Sequence, residues 1–173
     1  TTNGAKISLL VTKPTLDYYT ALQSATLNET KEEVQARSFV DQVIIMRTRI
    51  LANMEALKKL DSLQYIEYVY RSGYVDKSSI AHHGLGEITY DEATKEAKAQ
   101  AVINGEAQDA YYTFKKVDNI WRIDISQVAP LVNQAMEDDI TDNGGSVQNM
   151  LRLTLLSANS GEELPAELWG PQK

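Results

Sequence analysis

The stretch AKAQAVINGEAQDAYYTFKKVDNIWRIDI, Ala97 to Ile125, decides the fold. Asn104-Gly105 suits a two-residue type I′ hairpin turn, in which both central residues take positive φ. Asp118-Asn119 can form a second such turn, since both residues tolerate the left-handed region. A two-residue loop sets the register of its strands, so each turn predicts which side chains lie opposite one another. About Asn104-Gly105, Ala101 falls opposite Gln108, Ala99 opposite Ala110 and Ala97 opposite Tyr112. About Asp118-Asn119, Phe114 falls opposite Ile123 and Tyr112 opposite Ile125. Opposed side chains share a face. Both turns therefore assign one face to Ala97, Ala99, Ala101, Ile103, Ala110, Tyr112, Phe114, Trp121, Ile123 and Ile125. The other face takes Lys98, Gln100, Asp109, Tyr111, Thr113, Lys115, Arg122 and Asp124, so neither acid faces inward. Lys115 opposite Arg122 is a like-charge pair that costs roughly a few tenths of a kcal/mol.

Outward from this meander the pattern turns helical. Gly86–Tyr90 alternates and adds a strand, joined to the meander by a turn over Asp91–Thr94. Upstream, apolar spacing predicts helices over about 15–26, 31–59 and 62–72. Thr30 with Glu33 forms a capping box at the start of the long helix. Arg47 falls on its apolar stripe, either as an arginine reaching to the rim or as a buried anion-binding group. Downstream, helices are expected over about 127–140 and 146–157, separated by Gly144-Gly145 and followed by a tail over 161–173, which Trp169 can pin to the body. The expectation is an α+β fold in a single domain, 1–173. N-terminal helices pack on a curved antiparallel sheet of about four strands, 86–125, with two extra C-terminal helices.

Composition narrows the function classes. The chain has 173 residues, 43% of them hydrophobic and 24% charged, the balance of an ordinary globular protein. A net charge of −7 disfavours a nucleic-acid partner. The cysteine count is 0, which excludes disulfides and thiolate chemistry. No segment has the roughly 18 continuous apolar residues of a membrane span. A start at Thr1 rather than Met fits either a leader that has been removed, the expectation then being a secreted or periplasmic bacterial protein, or a sequence trimmed at its start.

Chemistry-bearing residues are few. His82 and His83 are the only histidines and sit in a predicted loop over 73–86, beside permissive glycines. They are candidate acid–base groups, but no His-x-x-x-His pair or ligand triad accompanies them, so no metal is expected. No cofactor-binding glycine loop or Ser-His-Asp order is present, and no cofactor is expected.

The segments Ala97–Asn104, Ala107–Lys116 and Asn119-Ile120-Trp121-Arg122-Ile123-Asp124 resemble the closing strands of the NTF2-like superfamily. This is the cone fold of ketosteroid isomerases and SnoaL-like cyclases, and the resemblance spans about Lys31 to Ile125. It implies a cavity between sheet and helices, with Tyr112, Phe114, Trp121 and Ile123 either as its wall or as packed core, and Tyr112 as a candidate hydrogen-bond donor. It also implies a homodimer through the sheet face, using Tyr111, Lys98, Lys115 and Arg122. The function expected is a non-catalytic ligand-binding or protein-assembly domain taking a small apolar ligand. The alternative is an isomerase- or dehydratase-type enzyme using Tyr112 with His82 or His83. Members usually end near the tryptophan strand, whereas this chain continues to Lys173.

Overall fold

The computed structural model describes residues 10–72 and 83–172, and of His83 and Val128 the backbone alone. It is an α+β fold in which helices precede and follow a four-stranded antiparallel sheet of order β1-β2-β3-β4. The helices are α1 (Lys13–Asn28), α2 (Lys31–Gln35), α3 (Phe39–Leu51), α4 (Met54–Leu57), α5 (Ser62–Arg71), α6 (Ile125–Asp142) and α7 (Val147–Ala158). The strands are β1 (His83–Asp91), β2 (Glu96–Ile103), β3 (Glu106–Val117) and β4 (Ile120–Ile123). The chain groups into two compact units, Thr1–Tyr18 with Ile66–Leu131 and Tyr19–Tyr65 with Val132–Lys173.

The sheet belongs to the first unit. Both predicted turns form, with φ of 54° at Asn104, 83° at Gly105, 51° at Asp118 and 62° at Asn119. Phe114 pairs with Ile123 as expected. The register of β2 on β3 departs from the prediction. Next to the turn Ile103 pairs with Glu106, but beyond an irregularity between Gln100 and Val102, Ala99 pairs with Tyr112 and Ala97 with Phe114. The slip is by an even step along β3, and side chains alternate with period two, so the predicted faces survive. Ala97, Ala99 and Ala101 are buried on the apolar face.

β1 begins at His83, inside the predicted loop. Gly84 lies in that predicted loop, and Gly86 at the predicted start of the strand. A Cβ on Gly86 would come within 3.1 Å of Val102 Cγ2, so glycine permits the close approach of strands. A bulge between Leu85 and Ile88 sets Leu85 opposite Ala101 and Ile88 opposite Ala99, which puts both on the face shared with Tyr90. At the other end, β4 stops at Ile123, so the predicted Tyr112–Ile125 pair does not form and Ile125 opens α6 instead.

Gly105 has nothing within 4 Å of its would-be Cβ, so a side chain there meets only the left-handed backbone. Gly105→Ala is expected to cost about 1 kcal/mol in urea denaturation. A neutral result would mean the turn has changed type.

The second unit is helical. The predicted continuous helix over 31–59 is α2, α3 and α4, each with its own cap. Thr30 accepts from Glu33 N and Glu33 returns the bond, the expected capping box. Ser38 Oγ accepts from Asp41 N, and Asn53 Oδ1 accepts from Ala56 N. Such side chains offer the backbone a local partner in place of a continuing helix, which ends one helix and starts the next. The core takes Leu22, Ile45, Met46, Tyr65 and Leu155. Tyr65 Oη lies 3.2 Å from Thr26 Oγ1, which satisfies two buried hydroxyls.

Two stripe assignments change. α3 buries Arg49, while Arg47 is only half-buried. The expected apolar stripe of α6 is largely open: Leu131, Val132 and Met136 are exposed.

Candidate functional site

Two cavities of about 390 Å³ each lie in the second unit. The shallower is lined by Arg47, Met150, Leu153, Thr154, Ser157 and Ala158. The more enclosed has an apolar wall of Val147, Leu151, Leu155, Leu156, Leu164 and Trp169, with Gln35, Gln42, Gln148, Arg152 and Glu163 at polar points. Concavity, an apolar lining and a few fixed polar groups are the usual attributes of a small-molecule site.

The placement of these groups follows from local chain chemistry. Ser146 caps α7 by accepting from Asn149 N at 3.2 Å, and the helix presents Leu151 and Leu155 inward. Gln42, buried on α3, donates through Nε2 to Arg37 O at 2.8 Å and to Gln35 O at 3.5 Å. Its carboxamide is thereby held in one orientation. The charged pair of the lining is committed to itself: Arg152 Nη1 donates to Glu163 Oε1 at 2.9 Å. The lining thus offers amides, an indole and aliphatic surface rather than a free acid or base.

A second feature of this unit is Arg49, 3% exposed. Its Nε donates to Thr26 O at 2.8 Å, Nη2 to Ala25 O at 3.0 Å and Glu29 O at 2.8 Å, and Nη1 to Leu168 O at 3.1 Å. It caps the carbonyl end of α1 and reaches the C-terminal segment. Burial pulls its pKa below the ordinary value, against the opposing charge of Glu29. Trp169, expected to pin the tail, is half-buried in a short 3₁₀ helix over Ala166–Trp169, with Lys31 Nζ 5.6 Å from its ring centroid.

Glu29 is bound bidentately by Arg37, with Nε donating to Oε2 at 2.7 Å and Nη2 donating to Oε1. That hydrogen bonding holds its carboxyl below the ordinary 4.5; burial opposes the shift, and the charges of Arg37 and Arg49 add to it. A depressed folded-state pKa contributes stability above the unfolded value that is lost as pH falls through the folded one. Arg37→Met should therefore lower the urea midpoint at about pH 7 and change it much less at about pH 3. Equal losses at both pH values would remove the carboxylate from the explanation.

In the first unit the notable group is Asp124. Strand parity had put it on the polar face, yet it is 0% exposed. Its amide still pairs in register with Thr113, and Lys115 on that same face reaches its carboxylate, so the face is the expected one and only the burial is not. Ser126 Oγ donates to Asp124 Oδ1 at 2.5 Å, and Asp124 N donates to Thr113 O at 2.8 Å. Oδ2 has no hydrogen-bond partner, but Lys115 Nζ stands 3.7 Å away and also 3.4 Å from Glu96 Oε1. Beside it, Thr12 N donates to Ile123 O at 3.0 Å, and Ile125 N donates to Thr15 Oγ1 at 2.9 Å. This polar knot ties Leu10–Thr12, β4 and the start of α6 together.

The predicted wall residues share one sheet face. Tyr112, Phe114 and Ile123 are half-buried, and Trp121 is 37% exposed. Trp121 stacks edge-on against Tyr90 with ring centroids 5.3 Å apart, and Lys116 Nζ lies 5.8 Å from its ring. Neither cavity above is lined by these four residues. His82 lies outside the described residues; His83 pairs with Ile103 through its backbone. Among the described residues no group of His, Cys, Asp and Glu could hold a metal ion, and no helix is long and apolar enough to cross a membrane.

No protein-family model matches the chain, and no curated protein or solved structure is significantly similar to it.

Proposed function

We propose that this chain is a non-catalytic ligand-binding domain. Its ligand is a small molecule with an apolar body and an uncharged hydrogen-bonding group, held in the cavity between α7 and the C-terminal segment. The observation that carries this reading is the lining: leucines and an indole for the body, and the amides of Gln35, Gln42 and Gln148 for the polar group. Arg152 and Glu163 neutralise one another there, so a charged ligand gains little. The NTF2-like resemblance enters this proposal through the α+β class.

Nile red, neutral and aromatic with one carbonyl, is a suitable probe. Trp121→Phe leaves Trp169 as the sole tryptophan, which places the signal at the cavity. The expected result is saturable dye binding with quenching of Trp169 emission. Leu156→Trp, which fills the cavity, should weaken binding by about tenfold or more, the equivalent of about 1.4 kcal/mol. Unsaturable binding, or a filled variant that binds like the parent, sinks the reading.

A second reading is assembly, and β1 favours it. Leu85, Ile88 and Tyr90 are 55%, 62% and 48% exposed on one face of a strand that pairs with β2 alone among the described residues. This face is opposite to the polar one expected to dimerise. A homodimer built on it should dissociate on Ile88→Lys in analytical ultracentrifugation. A monomeric parent chain disposes of the homodimer.

A further inference from the structure

We propose that the C-terminal segment from Glu163 to Gln172 is a strap that opens to admit the ligand, an inference that rests on the cavity being the binding site. The two sides of the cavity are built differently. α7 contributes Leu151 and Leu155, both buried in the core of the second unit. The strap contributes Leu164 and Trp169, and none of its described residues is buried. A segment that buries little apolar surface opens at a small fraction of the cost of unfolding the unit.

Discrete polar latches hold the strap instead. Gln172 N donates to Leu27 O at 2.7 Å, and Arg49 Nη1 donates to Leu168 O at 3.1 Å. The Arg152–Glu163 pair and Lys31 over Trp169 add contacts that water screens. Arg49 keeps its three bonds to the end of α1 when the strap leaves. The frame therefore stays intact while Leu168 O and Gln172 N take up water. Trp169 sits on the moving side and lines the cavity. It serves as the lid residue that covers the apolar body of the ligand on closure.

Two measurements on the full chain test this. The first is amide hydrogen exchange without ligand. Gln172 should exchange at least about a hundredfold faster than Leu155 in α7, because its protection lasts only while the strap is down. Equal exchange of the two overturns the strap. The second uses a tether, Leu27→Cys with Gln172→Cys, in a chain whose native cysteine count is 0. Oxidation should slow Nile red association by about tenfold or more, and reduction should restore it. Equal association rates in the oxidised and reduced tether overturn the gate and leave the binding site standing. Failure of the parent chain to bind Nile red overturns the site and the gate together.

Discussion

Arg49→Ala is expected to lower the unfolding free energy by about 3–5 kcal/mol. The guanidinium is buried and donates to the carbonyls of Ala25, Thr26, Glu29 and Leu168. Removing it takes the guanidinium from all four oxygens; Ala25 O keeps the amide of Glu29 at 3.1 Å, while the carbonyl of Thr26 loses its donor inside the core. Each hydrogen bond to a charged group is worth roughly 1.5–3 kcal/mol net, though bonds to one guanidinium are not additive. The positive charge also sits where the α1 dipole is negative. Arg49→Lys tests the geometry apart from the charge. An ammonium keeps the dipole term but cannot reach all four carbonyls in the planar arrangement of the fork, so it should recover less than half of the loss. Urea denaturation of the three proteins measures this. A loss under about 1 kcal/mol for the alanine variant would mean that water replaces the arginine at little cost.

Asp124→Ala is the second large effect, expected at about 2 kcal/mol. Two terms oppose one another. A fully buried carboxylate with one oxygen lacking a hydrogen bond carries a desolvation cost that alanine relieves. Against that, alanine removes the 2.5 Å bond from Ser126 and the counter-charge of Lys115. The Ser126 bond is charge-assisted and worth roughly 1.5–3 kcal/mol. Lys115 is 39% exposed in its side chain, so its attraction is screened and adds at most about 1 kcal/mol. The hydrogen bond decides the sign. Asp124→Asn keeps an acceptor for Ser126 and drops only the charge, so it should lie closer to wild type than to alanine. If asparagine is as damaging as alanine, the ion pair with Lys115 outweighs the hydrogen bond. Thermal and urea unfolding of both variants separate these outcomes. The effect should reach the strand pairing of Val11 with Ile123, because the same knot holds that bridge.

These two residues also mark where reading the chain as a string stops working. Phe39, Gln42, Ile45, Met46 and Arg49 lie at helical spacing on the buried side of α3, which also takes Ile44 and Thr48. Shifted by a small rotation, Val40, Val43, Ile44, Arg47 and Ile50 make an equally good stripe. Val43-Ile44-Ile45-Met46 is apolar on every side, so periodicity could not choose between them. The choice falls to what surrounds the helix, and there the carbonyls at the end of α1 select Arg49.

For the hairpin turns and the strand faces the local code was sufficient. Asn104-Gly105 and Asp118-Asn119 dictate positive φ, turn type and strand parity, because these are properties of a few adjacent residues. Parity survived even a slip in register, since an even slip preserves faces. The α+β class, the hairpins, the Thr30 capping box and the start of α7 were likewise legible from neighbouring residues. The cavity was not. Its wall draws on Gln35, Gln42, α7 and Trp169, residues far apart in the chain, and no short motif records that they meet. Asp124 keeps the face that alternation assigned to it, but alternation says nothing of its complete burial there. Local chemistry determined turns, caps and faces; burial, the arginine clamp and the enclosed volume came from long-range packing, which only the folded chain specifies.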